Sequence, residues 1–323
     1  MNCNAYKGAI TFSTNKEKDI RINNYFWCIM AMNTTVLKTR TTTALIFVII
    51  MLVGIGTNAY TLFALCSIIH FGAWWEYFTL QDKVLHTTSH NMLRMGFALT
   101  GYTMLIWCSG SMPQLQQLQL SSNFGVLVGT AGFLCSVIGI FKMQRITMRV
   151  LHYMWGYLYI SLSLACLLLL CTYTHNTEYT HQLWLSKYLV LPAFVISCMW
   201  INDTMAYLVG SLIGRTPLSS ISPKKTWEGT LGGIVLCGVV VGVGTYYIAS
   251  KQHFEYSIWH WIMLATVASI LGTIGDLLES KLKRMAQVKD SGSFMPGHGG
   301  FLDRFDSLLF ATPFMYILIK LID

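Results

Sequence analysis

Apolar residues in this chain fall into long unbroken runs. They do not show the spaced stripe of a surface helix or the alternation of a half-buried strand. Nine runs stand out, at 43–57, 59–79, 93–110, 124–141, 153–173, 188–212, 230–249, 258–278 and 305–322. Most approach the roughly 18–20 residues that carry a helix across a bilayer core. The first, "TALIFVIIMLVGIGT", is short, and a single helix through 43–79 is too long for one crossing, so Asn58 marks a tight turn between two spans. The pattern predicts an all-α fold: a polytopic integral membrane helical bundle of about nine transmembrane helices.

Composition agrees, with 54% hydrophobic and only 11% charged residues, against roughly 25% charged in a soluble domain. The net charge of +8 would suggest nucleic acid only if the basic residues formed one patch on a soluble face. Their order along the chain argues against that, and no nucleic-acid partner is expected. With the N-terminus in the cytoplasm and spans alternating, Lys38, Arg40, Lys83, Arg94, Lys142, Arg145, Arg149, Arg215, Lys224, Lys225, Lys281, Lys283, Arg284, Lys289 and Arg304 all fall on the cytoplasmic side. Only Lys187, Lys251 and Lys320 fall opposite. This positive-inside bias predicts an odd number of spans with the C-terminus outside. The 111–123 loop has no basic residue, as an exported loop would. Trp74, Trp75 and Tyr77 near one interface, and Trp259 and Trp261 near the other, are expected to form aromatic belts.

The chain is expected to divide into an N-terminal cytoplasmic segment (1–42), a transmembrane scaffold (43–190) and a C-terminal transmembrane catalytic region (191–323). Residues 1–31 are polar and irregular, and Met32 with its basic flank reads as a natural start, so the upstream segment is expected to be disordered or to reflect an extended start site. Cys66, Cys108, Cys135, Cys166, Cys171, Cys198 and Cys237 lie in or beside apolar runs without metal-ligand spacing, as small buried hydrophobes do.

Eight of the fourteen carboxylates fall between 196 and 306. Asp203 sits within an apolar run, and Asp276 lies near the cytoplasmic end of the eighth. Ionisable groups inside spans are costly, and they usually mark a wet cavity or a functional site. Asp276 and Glu279 are three apart, Ser280 is four from Asp276, and Asp303 and Asp306 are three apart at the start of the ninth run. Such pairs share a helix face, and both flank one cytoplasmic loop. They read either as solvated helix ends paired to Lys283 and Arg304 or as a metal site. Mg²⁺ is held by one or two carboxylates plus substrate phosphate oxygens, and two acids from separate helices suit that need.

Two basic segments lie on the same side. One is "GRTPLSSISPKKTWEG", with Arg215, Ser222, Lys224, Lys225, Thr226 and, opening the seventh span, Glu228; the other carries Lys283, Arg284 and Lys289. Either alone is as well explained as a topology signal or a lipid-headgroup contact. Beside the acids, they also suit phosphate binding. In "PGHGGFLDRFD", Gly297, Gly299 and Gly300 permit positive φ and close backbone approach. They lead into a helix N-terminus that favours an anion. His298 between them reads as a phosphate donor or acid, or as structural. The stretch lacks the GxxxxGK[ST] of a P-loop.

"SKLKRMAQVKDSGSFMPGHGGFLDRFD" resembles the signature of the phosphatidate cytidylyltransferases. Ser280, Lys283, Arg284, Lys289, Asp290, Gly292, Pro296, His298, Gly299, Gly300, Asp303, Arg304 and Asp306 occupy its fixed positions, and Met295 stands where Ile or Leu is usual. The likeness covers roughly 196–306, and the front half resembles the family only in hydropathy and span count. The resemblance implies the reaction of CTP with phosphatidate, a membrane lipid, to give CDP-diacylglycerol and diphosphate with Mg²⁺. It further implies Asp276 and Asp303 as metal ligands with Asp306 beside them. Lys224, Lys225, Lys289 and Arg304 would then bind phosphates, with Ser222 and Thr226 as hydrogen-bond donors. A second cation such as K⁺, a homodimer and a bacterial inner-membrane location with a cytoplasmic site go with that likeness. Two rivals stand beside it: a CTP-dependent polyprenol or sterol kinase, and an ion-coupled transporter with Asp203 and Asp276 as proton sites.

Overall fold

The computed structural model describes residues 41–110, 123–142, 147–174, 187–252, 254–294 and 299–322. The expectations about residues 1–40, the 111–122 loop and His298 lie outside these residues.

Among the described residues the nine apolar runs fall in ten helices, the fifth run being shared by two of them. They are α1 (Thr41–Gly56), α2 (Ala59–Val84), α3 (Asn91–Ser109), α4 (Asn123–Phe141), α5 (Thr147–Gly156), α6 (Leu162–Leu169), α7 (Val190–Ile213), α8 (Trp227–Ser250), α9 (Ile258–Met285) and α10 (Leu302–Ile322). A π-helical turn, Tyr157–Ser161, joins α5 to α6 into one rod. Among the described residues there is no strand, only an isolated bridge between Pro217 and Thr226. Six helices are long and apolar enough to cross a membrane: 124–141, 149–172, 190–213, 227–250, 258–285 and 302–322. The chain is thus a multi-pass membrane protein.

Asn58 does divide the first two runs. It caps α2, its side chain accepting from the Thr61 amide at 2.9 Å while the Thr61 hydroxyl accepts from the Asn58 amide at 3.2 Å. This capping box satisfies two of the helix's orphan groups. The helix of the ninth run begins three residues early, at Leu302, and the eighth does not end at 278. It continues as α9 to Met285, which places Lys283 and Arg284 on the last helical turn rather than in a loop. Basic residues there complement the negative end of the helix dipole.

Helices α7, α8, α9 and α10 pack in succession, with α6 against α10 and α3 against α4. Close packing of α8 on α7 needs Gly233, where a Cβ would stand 2.7 Å from the Ala206 side chain. Small residues permit such approach where no hydrophobic effect drives helices together. Trp74 and Tyr153 are fully buried, and the Trp74 indole donates to Ser161 Oγ at 3.0 Å across to the π-helical turn.

The aromatic-belt expectation needs correction. Trp75 and Trp259 are exposed on the outside, at 70% and 74%, but Trp74, Tyr77 and Trp261 are core residues. Successive helical residues turn about 100°, so neighbouring aromatics cannot all face lipid. Among the described cysteines, Cys66, Cys166, Cys171, Cys198 and Cys237 are buried, Cys108 and Cys135 are half-buried, and none is disulfide-bonded.

Candidate active site

Helix α9 carries two acids of the site, Asp276 and Glu279, along its last three turns. Asp276 faces a polar cavity of about 460 Å³ between α7, α8 and α9, also lined by Asp203, Ser222, Lys224, Lys225 and Thr226. Lys225 forms an ion pair with Asp276, and Ser280 Oγ donates to Asp276 Oδ1 at 3.3 Å. Asp203 projects from the middle of α7 into this cavity, within the field of Lys225, Asp276 and Arg304. A wet cavity is what allows an acid at that depth.

The loop that presents Lys224 and Lys225 is closed on itself. Leu218 donates to the Lys225 carbonyl at 2.7 Å and Trp227 to the Thr216 carbonyl at 2.9 Å. Glu228 ties the base of this loop. Its carboxylate accepts from the amides of Arg215 (3.1 Å) and Thr216 (3.2 Å), and from the Thr216 hydroxyl at 2.8 Å. Glu228 is therefore engaged by its own chain, and its role is to hold the lysine loop in shape. Thr226 caps α8, accepting from the Gly229 amide at 3.2 Å, which leaves its hydroxyl proton for another acceptor. Arg284 reaches toward the Ile221 carbonyl at 3.5 Å, linking the end of α9 to the same loop.

One turn beyond Asp276, Glu279 is 1% exposed. Its carboxylate lies 2.5 Å from Lys283 Nζ, which also donates to Asp303 Oδ1 at 2.7 Å. Asp303 is held on its other oxygen by the amides of Ser291 and Gly300, both at 2.8 Å, and by the Ser291 hydroxyl at 2.9 Å. Gly299 has φ +88°, and a Cβ there would meet Asp303 Oδ2 at 2.6 Å. A side chain is thus disfavoured twice at Gly299. Asp306 is buried and feels the charges of Asp276, Glu279 and Asp203. Lys289 and Arg304 are exposed on the same end of the bundle.

The acids of α9 and α10 thus gather at one end, as expected, but the two sequence candidates for the metal are not equivalent. Asp276 opens onto the polar cavity, whereas Asp303 is the hub of the loop preceding α10. Among the described residues, no three His, Cys, Asp or Glu side chains enclose a point as a complete metal cage would. Mg²⁺ needs no such cage, since substrate phosphates and water complete its shell. The fit to a cation rests on Asp306, buried at 8% exposure among three like-charged acids. Such a set is relieved by compensating positive charge or by protonation, and a bound cation supplies the first.

Sequence reasoning passed over Glu76. It sits on α2, 5% exposed, and accepts from the Ser291 hydroxyl at 2.7 Å and the Leu302 amide at 3.0 Å. An acid inside an otherwise apolar helix was the only available signal, and position 76 lies near the end of its run, where charged residues are common.

An apolar groove of about 560 Å³ runs along α9 and α10 on another side of the site. Leu158, Leu162, Leu278, Leu282, Phe310 and Phe314 are among its walls, and Glu279 is among its few polar residues.

The pattern of the cytidylyltransferase family matches residues 38–322. The chain is 43% identical over 131 residues to a phosphatidate cytidylyltransferase of Staphylococcus haemolyticus (strain JCSC1435), covering 40% of this chain and 48% of that protein. It is 42% identical over 139 residues to one from Synechocystis sp., covering 42% and 44%. It is 44% identical over 124 residues to one from Bacillus subtilis (strain 168), covering 38% and 45%. The chain therefore spans about half the length of the curated relatives it matches.

Proposed function

Since this chain belongs to the cytidylyltransferase family, we propose that it is a phosphatidate cytidylyltransferase, joining the phosphate of phosphatidate to the α-phosphorus of CTP with release of diphosphate. The observation that carries the reading is the division made by α9. Asp276 faces a lysine-lined polar cavity, and Glu279, one turn on, borders an apolar groove. A water-soluble nucleotide and a lipid phosphate are served from two sides of one helix.

In this reading the triphosphate lies in the polar cavity. Lys224 and Lys225 bind its oxygens, with Ser222 and the free hydroxyl proton of Thr226 as donors. Asp276 and Asp303, with Asp306 beside them, would hold Mg²⁺; Lys225 and Lys283, which pair with these acids, would then be available to phosphate oxygens. When bound, the divalent ion neutralises charge on the leaving diphosphate. No covalent nucleophile from the protein is needed, because phosphoryl-type transfer depends mainly on positioning and charge neutralisation. Lys289 and Arg304, on the same end, suit the lipid phosphate, whose acyl chains extend along the groove. His298 and a second cation such as K⁺ belong to the same proposal.

The nine helical rods coincide with the nine apolar runs, which supports nine crossings with the N-terminus and the site on the cytoplasmic side. The test uses purified protein with phosphatidate, Mg²⁺ and CTP labelled at either the α- or the γ-phosphorus. Label from the α-position in lipid, with diphosphate released, is expected. Label from the γ-position would make the protein a lipid kinase, and no transfer at all would overturn the proposal. Asp303→Asn should abolish turnover in a folded protein.

A further inference from the structure

Two carboxylates from opposite halves of the chain share one serine. Ser291 Oγ lies 2.7 Å from Glu76 Oε2 and 2.9 Å from Asp303 Oδ2. A hydroxyl has a single proton to donate, so Ser291 joins the two acids into one arrangement, and moving either moves the other. Glu76 also accepts from the Leu302 amide, at the first position of α10. That amide is one of the orphan donors of a helix start. The two flanking glycines lie against the same carboxylate: a Cβ at Gly292 would stand 2.2 Å from Glu76 Oε1, and one at Gly300 2.2 Å from Oε2. Residues 291–292 and 300–302 are thus both built around Glu76. A buried acid is costly unless it is hydrogen-bonded, and at 5% exposure this one is bonded to the loop that fixes Asp303.

We infer that Glu76 is a positioning residue for the reaction, acting through Ser291 and the start of α10 to hold the Asp303 carboxylate. The inference rests on the proposal that Asp303 is a metal ligand. It assigns the front half a direct part in the site, where the sequence suggested only scaffold. Partners that orient a metal ligand typically govern affinity or activity by about 10–100-fold.

The test compares Glu76→Ala, Glu76→Gln, Ser291→Ala and the double alanine variant in the full-length chain in detergent. Hydrogen exchange read by mass spectrometry should rise about tenfold across residues 288–304 in Glu76→Ala, with α8 unchanged. Substrate-free Mn²⁺ binding, followed by electron paramagnetic resonance, should weaken about 10–100-fold. The double variant should bind no worse than the weaker single one, because both substitutions break the same path. Glu76→Gln keeps the shape of the side chain and guards against misfolding. It should melt like the wild type and still bind Mn²⁺ more weakly. Wild-type exchange in the loop, wild-type Mn²⁺ affinity in Glu76→Gln, or losses that multiply in the double variant would each overturn the inference. If the wild type itself binds no Mn²⁺, the metal reading fails, and exchange alone decides whether Glu76 holds the loop.

Discussion

Lys283 is the cation on which the buried acids depend. Its ammonium lies 2.5 Å from Glu279 and 2.7 Å from Asp303, and the three side chains are 15%, 0% and 8% exposed. Lys283→Met keeps the apolar stem and removes the charge. Asp303 retains two amide donors and the Ser291 hydroxyl that it shares with Glu76, and tolerates the loss. Glu279 does not, since among the described residues Lys283 is its one cationic partner and no backbone amide donates to either oxygen. Removing one partner of a buried pair costs about 3–5 kcal/mol. At about 2–4 °C per kcal/mol, that predicts a melting point lowered by about 6–20 °C. The sharper expectation concerns the double variant. Adding Glu279→Gln removes the stranded charge and should restore about 1–3 kcal/mol, while activity stays low because Lys283 remains absent. The assay is thermal unfolding in detergent followed by intrinsic fluorescence. A Lys283→Met protein melting within about 2 °C of the wild type, or a double variant less stable than Lys283→Met, would refute the view that Glu279 depends on Lys283.

Other outcomes follow from the two sides of α9. Lys225→Ala removes a side chain that is 28% exposed, so stability should change by no more than about 1 kcal/mol. The KM for CTP should instead rise about 10–100-fold, the worth of one charged hydrogen bond, measured at saturating lipid. Leu278→Trp fills the apolar groove from an exposed position. It should raise the KM for phosphatidate by about tenfold, equivalent to roughly 1–3 kcal/mol of lost apolar contact, and leave that for CTP unchanged.

The helices were legible because a bilayer demands long apolar runs and closes off other backbone solutions. The turn at Asn58 was legible for a related reason, since one run could not be a single crossing. The gathering of Asp276, Glu279, Asp303 and Asp306 was also legible, because i, i+3 spacing fixes a shared face and the two helices flank one loop. The division of labour among these acids was not. Whether an acid opens onto a cavity or is enclosed by amides depends on how the chain between α9 and α10 folds back, and no local pattern encodes that. Glu228 shows the same limit, because its partners Arg215 and Thr216 lie thirteen and twelve residues earlier across a closed loop. Trp74 and Trp75 mark another: adjacent in sequence, one is core and the other faces outward.

The scarcity of charge elsewhere in the chain explains why it collects at this end. The proposed transfer between a nucleotide and a lipid phosphate would need polar contacts and apolar contacts within reach of one reacting centre. A helix crossing the membrane supplies both only where it leaves the hydrocarbon, and α9 does so along its last three turns. There Asp276 meets a lysine loop that Glu228 braces, and Glu279 and Lys283 lie toward α10 beside an apolar groove. Extending α9 past the end of its apolar run is what places Lys283 between Glu279 and Asp303. Had the helix stopped at 278, neither the buried pair nor the contact between Arg284 and the 221 carbonyl could form. The charged tail of α9 is therefore part of the site, because it joins the acids of one helix to the loop that opens the next.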